Sequence, residues 1–329
     1  MISAAVVGMG VGEQHARAIQ RSGVAKVALI CDLDLEKARR LAGELGPDVA
    51  ATDKFDHVVA SSTEIMAIAS YDDHHAQQVV DAFAAGKHVF CEKPLCRTRE
   101  ELATIERARR GHHLMCNLIL RAAPLYRWLR DAIRAGELGD IYAFDGDYLY
   151  GRLHKITDGW RGDVENYSVI QGGGVHLIDL MMWLLDDKPA RVSTVGNRIV
   201  TRESKFRYPD FVAATYEMPS GIIGRITANF GSVHKHQHVV RVFGSKATFI
   251  HDDMGARLYA QRDPGGPPQM IDHAPVAATK GDLIPDFLDA VIAKRDPAPA
   301  AHHEYAVITA CMAADRALAT AQPQTIEYV

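Results

Sequence analysis

Short apolar segments alternate with amphipathic segments over the first 120 residues of the chain. The apolar segments are typical of strands that are buried on both faces. These predicted strands are Ile2–Val7, Lys26–Cys31, Glu64–Ser70, His88–Cys91 and Leu114–Asn117. The segments between them have helical spacing and predict helices at Glu13–Ser22, Leu35–Leu45, His75–Ala85 and Arg99–Arg110. Alternating strands and helices predict a doubly wound parallel sheet with helices on both faces.

The pattern changes after residue 121, where we place the domain boundary. Helices are predicted at Pro124–Gly136 and Gly172–Leu185, with a strand at Ile141–Tyr150 between them. Extended segments separated by turn residues then follow one another: Arg191–Val200, Phe211–Met218, Gly221–Phe230, His238–Phe243 and Ala247–His251. A Pro/Gly loop at Asp263–Pro268 and helices at Asp282–Ala293 and Glu304–Ala319 complete the chain. Residues 122–329 therefore predict an α+β domain with a large, mainly antiparallel open sheet, its C-terminal helices able to pack back on the first domain.

Composition limits the classes of protein to which the chain can belong. The 329 residues are 47% hydrophobic, which is enough for the cores of two domains. A net charge of -4 gives no indication of binding to nucleic acid or to an anionic membrane. No apolar run approaches the roughly 20 residues of a membrane span, and the N-terminus lacks the features of a signal peptide. The five cysteines are scattered and form no C-x-x-C pair, so we expect a reduced, cytoplasmic protein.

A glycine-rich turn follows the first predicted strand and opens the first helix. Gly8, Gly10, Val11 and Gly12 form a G-x-G-x-G variant of the dinucleotide fingerprint, in which the third glycine comes one residue early. The helix N-terminus behind such a turn is suited to a pyrophosphate. Asp32 ends the second predicted strand, where a carboxylate binds the ribose hydroxyls and repels a 2'-phosphate. We therefore predict a Rossmann domain that binds NAD in preference to NADP; the alternative for Asp32 is a helix cap, which Asp34 can supply.

A second cluster of polar residues follows the strand His88–Cys91. The segment A-G-K-H-V-F-C-E-K-P places Glu92 and Lys93 at a strand's C-terminal end, where ligands bind in such sheets. With this segment the chain resembles the Gfo/Idh/MocA oxidoreductases, relatives of glucose–fructose oxidoreductase and inositol dehydrogenase. The resemblance covers nearly the whole chain, and its other matching segments are the glycine turn with His15, Arg121–Pro124, Gly136–Gly139, Trp160-Arg161 and the G-x-H-x-x-D run Gly174–Asp179.

The resemblance implies NAD(P)-dependent oxidation or reduction of a sugar or cyclitol hydroxyl, with Lys93 and His176 as catalytic residues. Neutral imidazole suits the removal of a hydroxyl proton at neutral pH. An ammonium group beside the substrate oxygen stabilises the developing alkoxide. The alternatives are a surface lysine and a satisfied core histidine. The chain departs from the family at Gly172, where many members have an aspartate four residues before the histidine, and at Ser70-Tyr71, where Thr-Pro or Asn-Pro is frequent.

The remaining predicted site residues divide between cofactor and substrate. Ser70, His75, Glu92 and Lys93 are expected at the cofactor with the glycine turn and Asp32; packing at a helix start is the alternative for His75. The expected substrate-binding residues are Lys93, Asn117, Arg121, Trp160, Arg161, Tyr167, His176 and Asp179. An indole face stacks on a sugar ring and a guanidinium binds carboxylate or diphosphate, so with Lys155 nearby an anionic sugar is one candidate substrate. Helix packing is the alternative for Asp179.

His234, His236 and His238 alternate and would share one face of a strand. We predict an interface or substrate role for them and no metal, because no carboxylate or cysteine pattern accompanies them.

The predicted protein is thus an NAD(P)-dependent oxidoreductase that acts on a ring hydroxyl or ketone of a sugar, a sugar derivative or a cyclitol. The alternatives are an NAD-dependent glycosidase that works by transient C3 oxidation and elimination, and a non-catalytic sugar sensor of the same fold. The family resemblance also implies a homodimer or homotetramer assembled through the C-terminal sheet.

Overall fold

The structure, a computed structural model, describes residues 1–263 and 265–329 in two compact units. The first unit consists of Met1–Ile119, Ala277–Tyr305 and Val329, and the second consists of Leu120–Val276 and Ala306–Tyr328. Residues 277–305 are thus grouped with the first unit. The predicted loop Asp263–Pro268 includes Pro264, which lies outside the described residues.

The first 119 residues form six strands and five helices. The strands are β1 (Ile2–Val7), β2 (Ala25–Cys31), β3 (Ala50–Thr52), β4 (Ile65–Ile68), β5 (His88–Cys91) and β6 (Leu114–Cys116). The helices are α1 (Gly12–Arg21), α2 (Leu35–Leu45), α3 (Phe55–Ala60), α4 (His75–Ala84) and α5 (Arg99–Arg109). All strand pairs are parallel, in the order β3-β2-β1-β4-β5-β6. The order reverses between β1 and β4, which is where open α/β sheets bind ligands.

The second unit contains most of the remaining elements. Its helices are α6 (Pro124–Arg134), α7 (His154–Thr157) and α8 (Val175–Leu185). Its strands are β7 (Ile141–Leu149), β8 (Arg191–Asn197), β9 (Phe211–Glu217), β10 (Ile223–Asn229), β11 (Gln237–Gly244), β12 (Thr248–Asp252), β13 (Gly255–Tyr259), β14 (Gln269–Ile271) and β15 (Gln324–Thr325). The chain ends with α9 (Ile284–Ile292) and α10 (Ala298–Thr320), the latter contributing residues to both units.

The nine strands of the second unit form one sheet in the order β14-β13-β12-β11-β7-β10-β9-β8-β15. Only β7 and β10 pair in parallel among the described strand pairs of this sheet, so the predicted mainly antiparallel sheet is confirmed. Burial alternates along β9, as expected when one face of the sheet is covered. Helix α8, apolar nearly throughout, packs on β7 and β10. Helix α10 contacts β9, where the Tyr216 hydroxyl donates to Ala310 O at 3.3 Å.

The core of the first unit explains why strands and helices form where they do. All four residues of β4 are buried, because helices cover both faces of a parallel sheet. In α1 the buried residues include Ala16 and Ile19, spaced so that one face meets the sheet. Helix α9 packs on α1, and its Phe287 ring lies 5.7 Å from the Phe90 ring of β5. A helix from the end of the sequence therefore completes the helical layer of the first unit.

No helix in the described ranges is long and apolar enough to cross a membrane. All five cysteines are buried and form no disulfide. Burial raises the pKa of Cys31 to about 11, with a further increase from the charges of Asp32 and Asp53.

Candidate active site

Gly8 makes the tight turn that connects β1 to the following helix. Its φ of +85° lies in the left-handed region that favours glycine. A Cβ at this position would overlap the backbone carbonyl of Ala69, at the end of β4, and would lie 2.6 Å from the carbonyl carbon. The sequence requires glycine here because the turn passes directly against the neighbouring strand.

Gly10 and Gly12 differ in what surrounds them. A Cβ on Gly10 would have no atom of the described residues within 4 Å, so this side of the loop is open. A Cβ on Gly12 would lie 3.2 Å from Val6 and 3.3 Å from the Ala69 side chain, so this glycine allows α1 to pack on the sheet. Val11 stands at the helix N-cap. The open position and the packed position match the two roles that a dinucleotide fingerprint assigns to its later glycines.

Asp32 is hydrogen-bonded to the backbone of the glycine turn. Its Oδ2 accepts a hydrogen bond from the Met9 amide at 2.5 Å, and its Oδ1 accepts one from the Asp34 amide at 2.9 Å. The cap of α2 is Asp34, whose side chain accepts from the Lys37 amide at 3.1 Å. Asp32 is therefore not the helix cap, and its carboxylate lies beside the open glycine loop. These features define the first unit as a dinucleotide-binding domain whose residues fit the cofactor.

Glu92 is the centre of a hydrogen-bond cluster in the same unit. Its Oε1 lies 3.0 Å from His15 Nε2 and accepts a hydrogen bond from Asn117 Nδ2 at 2.6 Å. Burial alone would raise the pKa of this carboxyl. The hydrogen bond and charge of His15, the charge of Lys93 and the Asn117 amide outweigh burial and lower the pKa of Glu92 to about 2. Glu92 is therefore ionised at neutral pH and holds the ends of β5 and β6 to α1.

Lys93 follows Glu92 and is half-buried, with a cis peptide bond to Pro94. The neighbouring Lys87 has a different environment, because its ammonium group donates to Ser61 O at 2.6 Å and to Thr63 O at 2.8 Å. Burial lowers the pKa of Lys87. Lys87 therefore has a structural role, because it holds the loop that precedes β4. The catalytic role of Lys93 stays a prediction.

His75 is fully buried at the start of α4. Its Nδ1 lies 2.7 Å from Pro94 O and its Nε2 lies 3.2 Å from Ser70 O. The Ser70 hydroxyl donates to Gln78 at 2.6 Å. His75 therefore links the loops after β4 and β5. Direct contact of His75 or Ser70 with a cofactor stays a prediction.

The three glycines that precede His176 form a π-helical turn, Ile170–Gly174, before α8. The predicted helix Gly172–Leu185 is therefore two elements, and π-turns are frequent at functional sites. A Cβ on Gly172 would overlap the Tyr167 hydroxyl and lie 2.8 Å from its Cζ. A Cβ on Gly173 would lie 2.7 Å from the Tyr148 ring. Glycine is required at both positions because aromatic rings of the same unit occupy the space of the side chains.

His176 lies at the edge of a cluster of rings that also contains Tyr148, His236 and His238. The Tyr148 ring is stacked on His176 with centroids 6.2 Å apart, and His238 meets His176 edge-on at 5.8 Å. His236 and His238 each lie 5.2 Å from Tyr148. His176 retains only 8% of its surface exposure. The arrangement places the predicted base, nearly buried, among phenol and imidazole rings.

Asp179 is fully buried one turn after His176 and forms an ion pair with Arg121. Arg121 Nε donates to both carboxylate oxygens, at 3.0 and 2.9 Å, and a second guanidinium nitrogen also contacts Asp179. Such a bidentate pair fixes the start of α6 to α8. Substrate binding by Arg121 and Asp179 stays a prediction, and the structure adds this positioning role to it.

Trp160 and Arg161 lie on a 3-10 turn, Trp160–Asp163, in the segment between β7 and the π-helical turn. The Arg161 guanidinium lies over the Trp160 ring, 4.4 Å from its centroid. His234 lies apart from the ring cluster and pairs with Asp253 at 2.8 Å. Among the described residues, no group of three or more His, Cys, Asp or Glu side chains could hold a metal ion.

Sequence reasoning missed Tyr148 and Asp315. Tyr148 is an ordinary strand residue by pattern, and only the fold brings it to His176. Asp315, in α10, accepts from the Ser168 hydroxyl at 2.6 Å and from the Gln171 side chain at 2.8 Å. It thereby anchors the residues that lead into the π-helical turn.

Replacing Gly172 by Ala should destabilise the protein by about 1–3 kcal/mol, because the new methyl group overlaps Tyr167. The sign is opposite to that of an ordinary glycine-to-alanine change in a helix. The measurement is urea unfolding of Gly172→Ala, Tyr167→Ala and the double variant. We expect the cost of Gly172→Ala to vanish when residue 167 is alanine. An equal cost in both backgrounds would show that Tyr167 is not what excludes a side chain.

Asp315 should make the protein less stable as the pH rises. Burial raises its pKa from 3.8 to about 6, against the opposing hydrogen bonds of Ser168 and Gln171. The native carboxyl thus binds its proton more tightly than the unfolded one, so its contribution is complete below about pH 4 and is lost as the pH rises through about 6. Between about pH 4 and pH 7, the unfolding free energy of Asp315→Asn should fall by about 2 kcal/mol less than that of the wild type. Identical pH profiles for both proteins would contradict the assignment.

Comparison with known proteins identifies the family. Residues 2–119 match the oxidoreductase family with an NAD-binding Rossmann fold, and residues 126–250 match the Gfo/Idh/MocA C-terminal domain. The chain belongs to the Gfo/Idh/MocA oxidoreductase family, as the sequence motifs predicted.

Individual relatives share parts of the sequence or the whole fold. Inositol 2-dehydrogenase of Acidiphilium cryptum is 30% identical over 223 residues, which are 66% of this chain and 64% of that protein. The 2,7-anhydro-N-acetylneuraminate hydratase of Escherichia coli is 27% identical over 267 residues, 77% of this chain and 68% of that protein. Levoglucosan dehydrogenase, solved with NADH, has a TM-score of 0.87 at 18% identity and covers 100% of both chains. This last likeness confirms the fold of the whole chain.

Proposed function

We propose that the protein transfers a hydride between a nicotinamide cofactor and a ring hydroxyl or ketone of a sugar, a sugar derivative such as a nucleotide sugar, or a cyclitol. The observation that carries the proposal is the open glycine loop fastened to Asp32, in a chain that also holds a nearly buried histidine against aromatic rings. The names of the relatives, inositol and levoglucosan dehydrogenases, support polyhydroxylated rings as the substrate class.

The residues of this chain have separable roles in the proposed reaction. NAD, when bound, supplies the hydride acceptor. His176 accepts the hydroxyl proton, for which a neutral imidazole is suited near pH 7. Lys93 stabilises the developing alkoxide with its ammonium group. Asp32 selects NAD over NADP because its carboxylate repels a 2'-phosphate.

A redox-neutral reaction is the second candidate, because one of the relatives reported above, 27% identical over 267 residues, is by name a hydratase. The NAD-dependent glycosidase belongs to this class, since the hydride that C3 oxidation would give to the cofactor would return to C3 after elimination of the aglycone and addition of water. A sensor without catalysis would bind the cofactor and the sugar and would convert neither of them.

The test is to mix purified protein with NAD or NADP and a panel of cyclitols, anhydrosugars, free sugars and nucleotide sugars. Absorbance of reduced cofactor and chromatography of the sugar are followed together. The dehydrogenase proposal expects reduced cofactor and a ketone in equal amounts, faster with NAD. Conversion of the sugar without reduced cofactor would favour the redox-neutral candidate, and binding without conversion would favour the sensor.

Assembly as a homodimer or homotetramer through the sheet of the second unit is part of the same proposal. Sedimentation velocity of the purified protein measures it, and a monomer at micromolar concentration would contradict it.

A further inference from the structure

Three cationic side chains lie on the short segment between β7 and the π-helical turn. Arg152, Lys155 and Arg161 are brought together by two tight turns. The Lys155 amide donates to Arg152 O at 3.0 Å, so these two residues lie one turn apart. A Cβ on Gly159 would lie 2.5 Å from Lys155 O, which shows how closely the second turn approaches the first. We call Arg152, Lys155 and Arg161 the cationic cluster.

The cluster is anchored beside the rings that surround His176. Gly151 has a φ of +60°, and a Cβ on it would lie 2.9 Å from the backbone nitrogen of His236. The segment thus leaves β7 pressed against the residues that lead into β11. His236 lies 5.2 Å, ring to ring, from Tyr148, which is itself stacked on His176.

The positive charges of the cluster act on each other and on this site. Burial lowers the pKa of Lys155, and the charges of Arg152 and Arg161 lower it further. Burial raises the pKa of Tyr148, with a further increase from Tyr150, while the charges of Arg152 and Arg161 oppose the rise. The charges of the two guanidinium groups therefore favour the ionised form of the phenol that stacks on His176.

The carboxylates of the same segment do not neutralise Arg152 or Lys155. Asp158 accepts a hydrogen bond from Thr157 at 2.8 Å, and Asp163 pairs with Lys205 at 2.7 Å. Within residues 1–263 and 265–329, neither Arg152 nor Lys155 takes part in an ion pair. Arg241, in contrast, pairs with Asp147 at 3.1 Å. Because the overall charge of the chain is -4, two cations without an acidic partner at this place, Arg152 and Lys155, are more informative.

We propose that the substrate carries an anionic group, a carboxylate or a phosphate, which Arg152 and Lys155 bind while the Trp160–Arg161 stack borders the sugar ring. The inference rests on the proposed function, since it names the substrate class of that reaction. Guanidinium groups bind carboxylate and phosphate oxygens through paired hydrogen bonds, and an ammonium group adds a point charge. Solvated surface cations are the alternative, and they would confer no preference among substrates.

The test compares sugars that differ only in charge. D-glucose is matched with D-glucuronate, D-glucose 6-phosphate and UDP-glucose, and myo-inositol with an inositol monophosphate. Isothermal calorimetry measures binding of each compound to the NAD-loaded protein, and reduced cofactor is followed in parallel. We expect at least one anionic member to bind about 10-fold or more tightly than its neutral partner, with the preference falling as salt rises. Comparison of D-glucuronate with the phosphorylated compounds shows whether the site prefers a carboxylate or a phosphate.

The variant Arg152→Gln/Lys155→Gln should lose that preference and keep its melting temperature. Its control, Lys246→Gln/Arg262→Gln, removes the same charge from exposed positions elsewhere in the unit and should bind as the wild type does. Equal binding of neutral and anionic sugars, or a preference that survives in Arg152→Gln/Lys155→Gln, would overturn the inference. Charge-dependent binding without cofactor reduction would instead leave the anionic site standing and count against the dehydrogenase proposal.

Discussion

Replacing His176 by Asn is expected to lower kcat by about 100- to 10,000-fold, the range of a lost general base. NAD affinity should stay within about 2-fold of wild type, because the glycine loop and Asp32 belong to the other unit. Lys93→Ala should lower kcat to a similar extent, because the developing alkoxide loses its positive neighbour. The measurement is steady-state kinetics on the best substrate of the panel, with cofactor binding followed separately by fluorescence.

The matched control for this pair is His234→Asn. His234 is a histidine of the same unit that pairs with Asp253 away from the ring cluster. Its variant should retain wild-type kcat. Full activity in both His176→Asn and Lys93→Ala would show that the assigned residues do not perform the chemistry.

Replacing Gly10 by Val is expected to weaken NAD binding by about 100-fold without unfolding the protein. The side chain would project from the open side of the glycine loop, where no described atom lies within 4 Å, so it obstructs a ligand and not the fold. Gly43→Ala is the control, because Gly43 lies in α2 and is equally open, and it should bind NAD normally. Calorimetric titration with NAD measures both variants. Unchanged affinity in Gly10→Val would mean that the pyrophosphate does not lie over this loop.

The sequence was sufficient to predict the parts of the fold that depend on local pattern. Buried apolar strands such as β1 and β4 alternate with amphipathic helices, and their period alone predicts a parallel sheet. Strand β13, which has five residues, was missed, and so were β3, β14 and β15, which have only two or three. Such short edge strands are defined by the neighbour with which they pair and have no pattern of their own. From the sequence, we expected that the C-terminal helices could pack on the first unit, but the contact of Phe287 in α9 with Phe90 is one that no local rule predicts.

In the candidate site too, some features could be predicted from the local sequence and others depend on the fold. Asp32 and Gly8 could be predicted because chain geometry at a strand end requires those residue types. The reason for the glycines at 172 and 173 could not be predicted, since it lies in the rings of Tyr167 and Tyr148, which the fold brings against them. Side chains at these two positions would displace the aromatic rings around His176.

Hydride transfer to the cofactor is the central claim, and isotope transfer measures it most directly. The protein is incubated with NAD and a substrate carrying deuterium on its ring carbinol carbons, and the recovered cofactor is analysed by mass spectrometry. The account predicts reduced cofactor that contains one deuterium, with none formed by His176→Asn over the same time. Conversion of the substrate with only unlabelled, oxidised cofactor recovered would contradict it.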